Sequence, residues 1–414
     1  MKARSKPRID RSSKRDRMLE AVARTLNSGG ISRTSLSNIA QGLGVSRTAL
    51  YYYFRDQQDL AFQSYQRSCA IMAQQLDEVR QRDGGAMAVI DAFIDGVLGQ
   101  DQPELASLSE VAFLHPDQQD EIQRRYDAIR EDVAAILQGG TERGELRPCA
   151  VNVVAHTILG VLSWIPTAQR WEANDAVDRQ VMAQAAKAVL RCGIAGDRRL
   201  PAQYHPLQLS SNDVPSAQLF DPKVLAEAKQ NALLASASWL FNLKGVDATS
   251  LDEVAERMGV TKRVIYHNVG DKEALLIACY RRSFTIYEEL SERMTAYAGP
   301  RIAALCAAMH AHSAAHLRED VAPLSPLIGL SDLPSTVMDE IRAAVFRLRD
   351  SYAQACSDGM REGSVRAMQH EAFIAIFPSL YQWLPKWLHL LGADDRNAAP
   401  QELAELMRVG LLPV

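Results

Sequence analysis

Thr34 to Leu60 read TSLSNIAQGLGVSRTALYYYFRDQQDL, and Thr249 to Leu275 read TSLDEVAERMGVTKRVIYHNVGDKEAL, 215 positions later. Nine of 27 positions are identical, including Thr34/Thr249, Ala40/Ala255, Gly44/Gly259, Val45/Val260 and Tyr51/Tyr266. Hydroxyl residues open each stretch, where a side-chain oxygen accepts the orphan amides of a first helical turn. Thr249-x-x-Asp252 and Ser250-x-x-Glu253 have the spacing of capping boxes. Leu36, Ile39, Ala40 and Leu43 then share a helical face. Gly44 supplies a tight turn that needs left-handed backbone angles. Val45 plugs the corner, Ser46 begins the next helix and Leu50 packs back. Ala255, Gly259, Val260, Thr261 and Ile265 repeat the outline. A small residue, a glycine and an aliphatic at relative positions 1, 5 and 11 outline a helix-turn-helix, whose second helix enters a DNA major groove.

Further along, the offset becomes 219. Asp120-Glu121-Ile122 matches Asp339-Glu340-Ile341, Gly144 matches Gly363, and Trp164-Ile165-Pro166 matches Trp383-Leu384-Pro385. An ordered series of matches with only four residues of drift means that the chain is written twice, over roughly 1–195 and 222–414. Between the copies, Gly193 to Pro222 carries Pro201, Pro206, Pro215 and Pro222, which oppose helix and mark a linker. At about 3.3 Å per residue it spans on the order of 100 Å, enough for a two-fold arrangement of the halves.

The 414 residues allow two to three domains, and 23% charged with 47% hydrophobic residues suits packed cores rather than disorder. The six cysteines form no C-x-x-C pair, which fits a reduced, cytoplasmic setting better than a disulfide framework. No uninterrupted apolar run reaches the length of about 20 residues that spans a bilayer, since Asn152 and His156 break Val151–Pro166, and no secretory signal opens the chain. The net charge of −4 argues against a nucleic-acid partner until its distribution is seen. Residues 1–60 hold twelve Lys/Arg against five Asp/Glu, most of the excess falling in 1–17, whereas residues 221–275 hold seven against eight. A basic run ahead of a recognition module suits a phosphate-tracking or minor-groove arm.

Helical periodicity dominates. Phe62, Tyr65, Cys69, Met72, Leu76 and Val79 form one stripe, Ile277, Tyr280, Phe284, Tyr287 and Met294 its counterpart. Val151, Val154, Ile158, Val161, Leu162 and Ile165 form another. Trp383, Trp387, Leu388 and Leu391 crowd one face near Pro385, which starts or kinks a helix. The chain is predicted all-α, with about nine helices per half. Phe93, Phe113, Tyr126 and Trp164 in the first half, and Phe346, Tyr352, Phe373, Tyr381 and Trp383 with His310 in the second, are candidates to line ligand pockets. Cys306, His310, His312 and His316 fall within 11 residues, but on one helix they point in two directions. They are read as structural or pocket-lining, and no metal or cofactor is expected. No nucleophile elbow, Walker loop or dinucleotide fingerprint is present, so no enzymatic activity is expected.

On the quoted stretches the chain resembles the TetR family of bacterial transcriptional regulators, through about 50 residues at the head of each half. The helical remainders fit the family's ligand-binding and dimerising domain in length but carry no diagnostic motif. The resemblance implies two subunits fused in tandem, each a helical bundle with an N-terminal helix-turn-helix, arranged as an intrachain pseudo-dimer. The organisation is then a basic arm (1–17), a first helix-turn-helix domain (18–60), a first ligand-binding and dimerisation domain (61–193), a linker (194–221), a divergent second helix-turn-helix domain (222–275) and a second helical domain (276–414). Residues near 150–192 and 370–411 would form the four-helix interface.

The same resemblance puts Arg47, Thr48 and Tyr52, beside Ser46, toward base edges, and Thr34, Tyr51 and Tyr53 near phosphates. Arg47 suits guanine, whose two major-groove acceptors a guanidinium can bridge. In the second module Lys262, Arg263, Tyr266 and His267 would form the reading face, with Thr249, Thr261 and Lys272 beside the backbone. That module departs from the pattern. Val269 replaces the aromatic at Phe54, Asn268 stands opposite Tyr53, Gln57 stands opposite Lys272, and Asp252, Glu253 and Glu256 share one short helix. The implied partners are double-stranded DNA and a small apolar effector, with no membrane role. The implied activity is that of an effector-responsive repressor. Pairing of the fused chain with a second copy stays open. The alternative is a helical effector-binding or scaffolding protein with vestigial DNA modules.

Overall fold

The computed structural model describes residues 14–31, 34–82, 84–168, 177–201, 203–209, 218, 220–325 and 333–414. The N-terminal portion of the basic arm (1–13) and the centre of the linker (210–217) lie outside them. Seventeen α-helices and no β-strand occur among the described residues. In the first half they are α1 (Lys14–Gly29), α2 (Leu36–Leu43), α3 (Arg47–Tyr51), α4 (Gln57–Arg80), α5 (Ala86–Leu98), α6 (Pro116–Glu142), α7 (Val151–Ala168) and α8 (Arg179–Cys192). A short 3₁₀ turn, Val111–Phe113, precedes α6. The second half has α9 (Pro222–Lys244), α10 (Leu251–Met258), α11 (Lys262–Asn268), α12 (Lys272–Thr295), α13 (Arg301–Leu317), α14 (Ser335–Glu362), α15 (His370–Ile376), α16 (Leu384–Trp387) and α17 (Ala393–Val409).

The sequence stripes fall on buried faces. Tyr65, Cys69, Met72, Leu76 and Val79 of α4 are buried, as are Tyr280, Phe284, Tyr287 and Met294 of α12. Helix α7 is the one helix among the described residues whose length and composition would let it cross a membrane, yet 72% of it is buried. It is apolar nearly all round because it packs on α6, α8 and helices of the second half, and a helix enclosed on every side has no polar face to keep.

The second half's counterpart of α7 differs. Pro378 and Pro385 lack the amide hydrogens a continuous helix requires. The segment therefore breaks into α15, a 3₁₀ turn over Phe377–Leu380, and the four-residue α16, with Pro385 in its first turn.

The halves join along α7 and α8 on one side and α15 to α17 on the other, within one continuous core. At the seam, backbone bonds come in reciprocal pairs. Ile194 N donates to Met407 O at 2.9 Å, and Leu411 N to Leu190 O at 2.7 Å. Ala195 N donates to Arg408 O at 2.9 Å, and Leu412 N to Arg191 O at 3.0 Å. Arg147 gives its backbone N to Leu411 O and its Nε to Gly410 O, while Arg366 gives the same two groups to Ile194 O and Gly193 O. Such self-complementary exchange is the signature of an isologous two-fold contact. Here both sides belong to one chain. Trp164 Nε1 adds a bond to Ala375 O at 2.7 Å, and Arg147 pairs with Glu402 at 2.6 Å.

Candidate nucleic-acid interface and body cavities

Each head is built by capping. Ser35 accepts from Asn38 N, Gly44 closes α2 at φ 63°, and Ser46 accepts from Ala49 N to start α3. In the second head Ser250 and Glu253 form the full capping box, and Gly259 closes α10 at the same φ of 63°. Val45 N and Val260 N bond Ala40 O and Ala255 O at 3.0 and 2.9 Å, so the two turns match atom for atom. One cap is missing: Thr261 makes no side-chain bond at the start of α11.

On the first head Ser46, Arg47, Thr48 and Tyr51 lie exposed along α3, and Tyr52, the residue just beyond its end, is 82% exposed. Exposure of an aromatic this large is costly on a free surface and suits a surface awaiting a partner. Arg47 makes no ion pair among the described residues. Tyr53 is half-buried, edge-on to Tyr52 with ring centres 5.0 Å apart, and Phe54 is core. Gln63 donates to Tyr53 O and accepts from Arg15, which fastens α1 to this corner.

On the second head Lys262, Arg263, Tyr266 and His267 are likewise exposed on α11. Lys262, however, is engaged with Asp252 of α10 at 2.8 Å, which raises its ammonium above the usual range. Lys244 is paired with Glu253 and Arg257 with Glu319. Asp252 and Glu253 of the acid-rich α10 thus hold Lys262 and Lys244, whereas Arg47, the residue equivalent to Lys262, makes no ion pair among the described residues. Lys272 is half-buried and approaches Asp247 O at 3.4 Å, its charge disfavoured first by burial. Gln57, at the equivalent place, donates to Ile31 O.

Two expected backbone-facing residues need correction. Thr34 and Thr249 are buried and donate to Gly30 O and Gly245 O at 2.7 and 2.8 Å. Their hydroxyls stitch the turn before α2 and α10 and offer nothing to a phosphate.

Sequence patterning holds no hint that the two heads meet at Glu110. This buried carboxylate accepts from Ile31 N at 2.6 Å. A Cβ on Gly30 would lie 2.8 Å from its Oε2, and one on Gly245, the residue equivalent to Gly30, would lie 3.0 Å from its Cγ. One side chain is therefore wedged against the same turn in both heads.

The body encloses cavities. One of about 120 Å³ lies in the second half, lined by residues that include Tyr287, His312, Tyr352, Tyr381 and Gln382 together with Trp164 of the first half. A second, of about 80 Å³, lies between the halves beside Trp164, Trp383 and Lys386. Lys386 donates to Ser109 O at 2.6 Å, and burial pulls its ammonium down to about 8. Trp164 and Tyr381 border these cavities, and Tyr126 borders a small void of about 10 Å³.

Other expected lining residues stand apart from these three cavities. Phe93 and Phe373 are closed core, Phe113 is half-buried, Phe346 is 51% exposed, and His310 bonds Tyr204. His312 and His316 bond Tyr352 and Tyr287 instead of facing a common point, and Cys306 faces Ala404 O. Among the described residues no three metal-ligating side chains cluster.

Comparison with known proteins matches residues 18–63 and 233–279 to the bacterial regulatory proteins of the tetR family, and residues 87–171 to a tetracyclin repressor-like C-terminal domain. The transposon Tn10 TetC protein of Escherichia coli is 39% identical over 57 residues, 14% of this chain. That stretch spans 29% of the curated relative's length. Among solved structures, PfmR, a TetR family transcriptional regulator from Thermus thermophilus, is 20% identical with a TM-score of 0.36, covering 43% of this chain and 95% of its own. AibR in complex with isovaleryl coenzyme A and operator DNA is 19% identical with a TM-score of 0.35, covering 42% and 95%. The N-terminal model of the tetR family of bacterial regulatory proteins thus sits at the head of both halves and a C-terminal model follows the first, and the chain resembles two subunits of that family joined in tandem.

Proposed function

We propose that the chain is a cytoplasmic, effector-responsive repressor that reads an operator through the major groove, chiefly with its first head. The observation that carries this reading is α3, capped by Ser46 and presenting Arg47, Thr48 and Tyr52 outward with no ion pair to Arg47 among the described residues. Ser46, Tyr51 and Tyr53 flank that face and would meet the backbone, where contacts position the protein and give salt-sensitive affinity. The second head, with Thr261, Lys262, Arg263, Tyr266 and His267, would read a different and weaker half-site, because Asp252 of α10 already holds Lys262 on its reading face. The division into arm, first head, first body, linker, second head and second body follows the boundaries given above.

The reciprocal seam supports the further proposal that one polypeptide supplies what a pair of subunits otherwise supplies. An effector in the body would then shift the heads relative to each other through the 107–110 segment, which borders the inter-half cavity and ends at Glu110. No catalytic role is assigned to any residue.

Selection of bound sequences from random DNA tests the reading. The expected consensus has two unlike half-sites, and Arg47→Ala relaxes the preference at one base pair of one of them. An unselected pool with the intact chain would favour the alternative of a helical binding protein with vestigial heads.

A further inference from the structure

The 120 Å³ cavity and the 10 Å³ void occupy the same place in the two halves. Of the residues lining the first, Val345, Pro378, Tyr381 and Gln382 stand 219 positions after Tyr126, Leu159, Leu162 and Ser163, all of which line the second. Tyr287 similarly stands 215 positions after Met72. The duplication thus gives two equivalent sites, of which the first is nearly filled and the second is open. The substitution responsible is Tyr126 opposite Val345: the tyrosine ring is buried, stacks on Trp387 with ring centres 3.9 Å apart, and bonds His156 at 3.0 Å. In the second half the smaller valine leaves the space open.

The open site has a definite chemistry. An apolar cavity of roughly 150 Å³ holds one benzene ring, so about 120 Å³ limits the site to one small ring. Its walls are mostly apolar, with Tyr287, Tyr381 and Trp164 supplying flat aromatic surfaces. Two lining residues are more than nine-tenths buried and keep one polar atom without a partner among the described residues: Gln382 Oε1 and His312 Nδ1. The other ring nitrogen of His312 is bonded to Tyr352 at 2.6 Å, and burial keeps the imidazole neutral by lowering it to about 3. An amide oxygen can only accept, so the ligand must donate to it. Arg349 also lines the cavity but already has an interaction of its own, and the rest of the wall is neutral and mostly apolar, which suits an uncharged ligand.

We propose that the second half binds one uncharged, single-ring aromatic alcohol of phenol size per chain, its hydroxyl on Gln382 and its ring between Tyr287, Tyr381 and Trp164. This assignment rests on the reading of the body as an effector-binding domain and names its ligand class.

Titration calorimetry of the full chain with phenol, toluene and benzoate tests it without DNA. The expected result is one phenol per chain, with toluene at least tenfold weaker and benzoate silent. Val345→Tyr copies the filled half and should remove phenol binding. Gln382→Leu keeps the volume and should reduce phenol to the level of toluene. If Val345→Tyr does not fold, the Gln382→Leu comparison decides. Absence of phenol binding, two phenols per chain, or binding unchanged in Gln382→Leu overturns the proposal. An intact DNA selection beside a silent titration removes only the ligand class. Phenol binding beside an unselected DNA pool removes only the DNA reading.

Discussion

Gly193 and Gly410 are mirror positions of one seam: each ends a helix with nearly the same backbone angles, φ 62° with ψ −157° and φ 68° with ψ −154°, and each lies against the backbone of the other half. A Cβ on Gly193 would sit 2.2 Å from Arg408 O, and one on Gly410 2.5 Å from Cys192 N. No side chain fits at either place, and the backbone region itself is one that glycine alone adopts freely. The closeness is what lets Ile194 and Leu411 complete their exchanged hydrogen bonds.

Gly193→Ala should therefore destabilise the chain far more than Gly44→Ala. Around Gly44 nothing lies within 4 Å of the added Cβ, so only left-handed strain of about 1–2 kcal/mol is expected. At Gly193 the backbone angles are less tolerant of a side chain than those at Gly44, and a collision with backbone is added. Urea titration of both variants should show the larger loss at Gly193, and equal losses would contradict the seam geometry.

Glu110→Ala should loosen both heads, although Glu110 belongs to only one half. It leaves Ile31 N–H buried without its acceptor, which costs about 1–3 kcal/mol. It also removes the wedge beside Gly245. Hydrogen exchange should accelerate at the turns near residues 30 and 245 together. Acceleration at the first alone would show that the second head does not depend on this contact.

Stability should fall on mild acidification. Burial lowers His156, His312 and His316 to about 3, while an unfolded histidine titrates near 6.5. Between those values the unfolded chain binds protons that the folded chain excludes, so stability present above pH 6.5 is lost as pH drops toward 3. The slope is about 1.4 kcal/mol per pH unit for each histidine once below 6.5. Urea midpoints at pH 7.0 and 5.5 should differ accordingly, and a flat profile would mean that these imidazoles are accessible.

On the selected DNA, Arg47→Ala should weaken binding by about 1–3 kcal/mol and relax the preference at one base pair. Lys262→Ala should change affinity less, because Asp252 already holds that ammonium. Fluorescence anisotropy at two salt concentrations checks both, and a larger loss at Lys262 would reverse the ranking of the heads.

The heads were legible in the sequence because a helix-turn-helix is local: Ala40, Gly44, Val45 and Leu50 define it within eleven residues, and the caps at Ser35 and Ser250 follow from composition. The duplication was legible too, as a repeated order of identities. What lay hidden depended on long-range packing. Thr34 and Thr249 read as surface hydroxyls, but the packing of the heads buries both, and each bonds the carbonyl four positions before it. Glu110 lies in a stretch with no periodicity and matters only because two distant turns close on it. The open cavity does leave a signal in the sequence, since aligning the halves sets Tyr126 against Val345 and Ser163 against Gln382. A list of aromatics alone could not distinguish a pocket wall from the ring that fills one.

Because Gly193 and Gly410 close the seam within a single polypeptide, dilution cannot part its two sides, and neither side can exchange with an unrelated subunit. A free pair of identical subunits must keep every surface suited to its own copy. Fusion lifts that obligation. One lobe was free to silence its chamber with Tyr126 and the other to trade basic surface for acid on α10, each change inherited together with the partner that tolerates it.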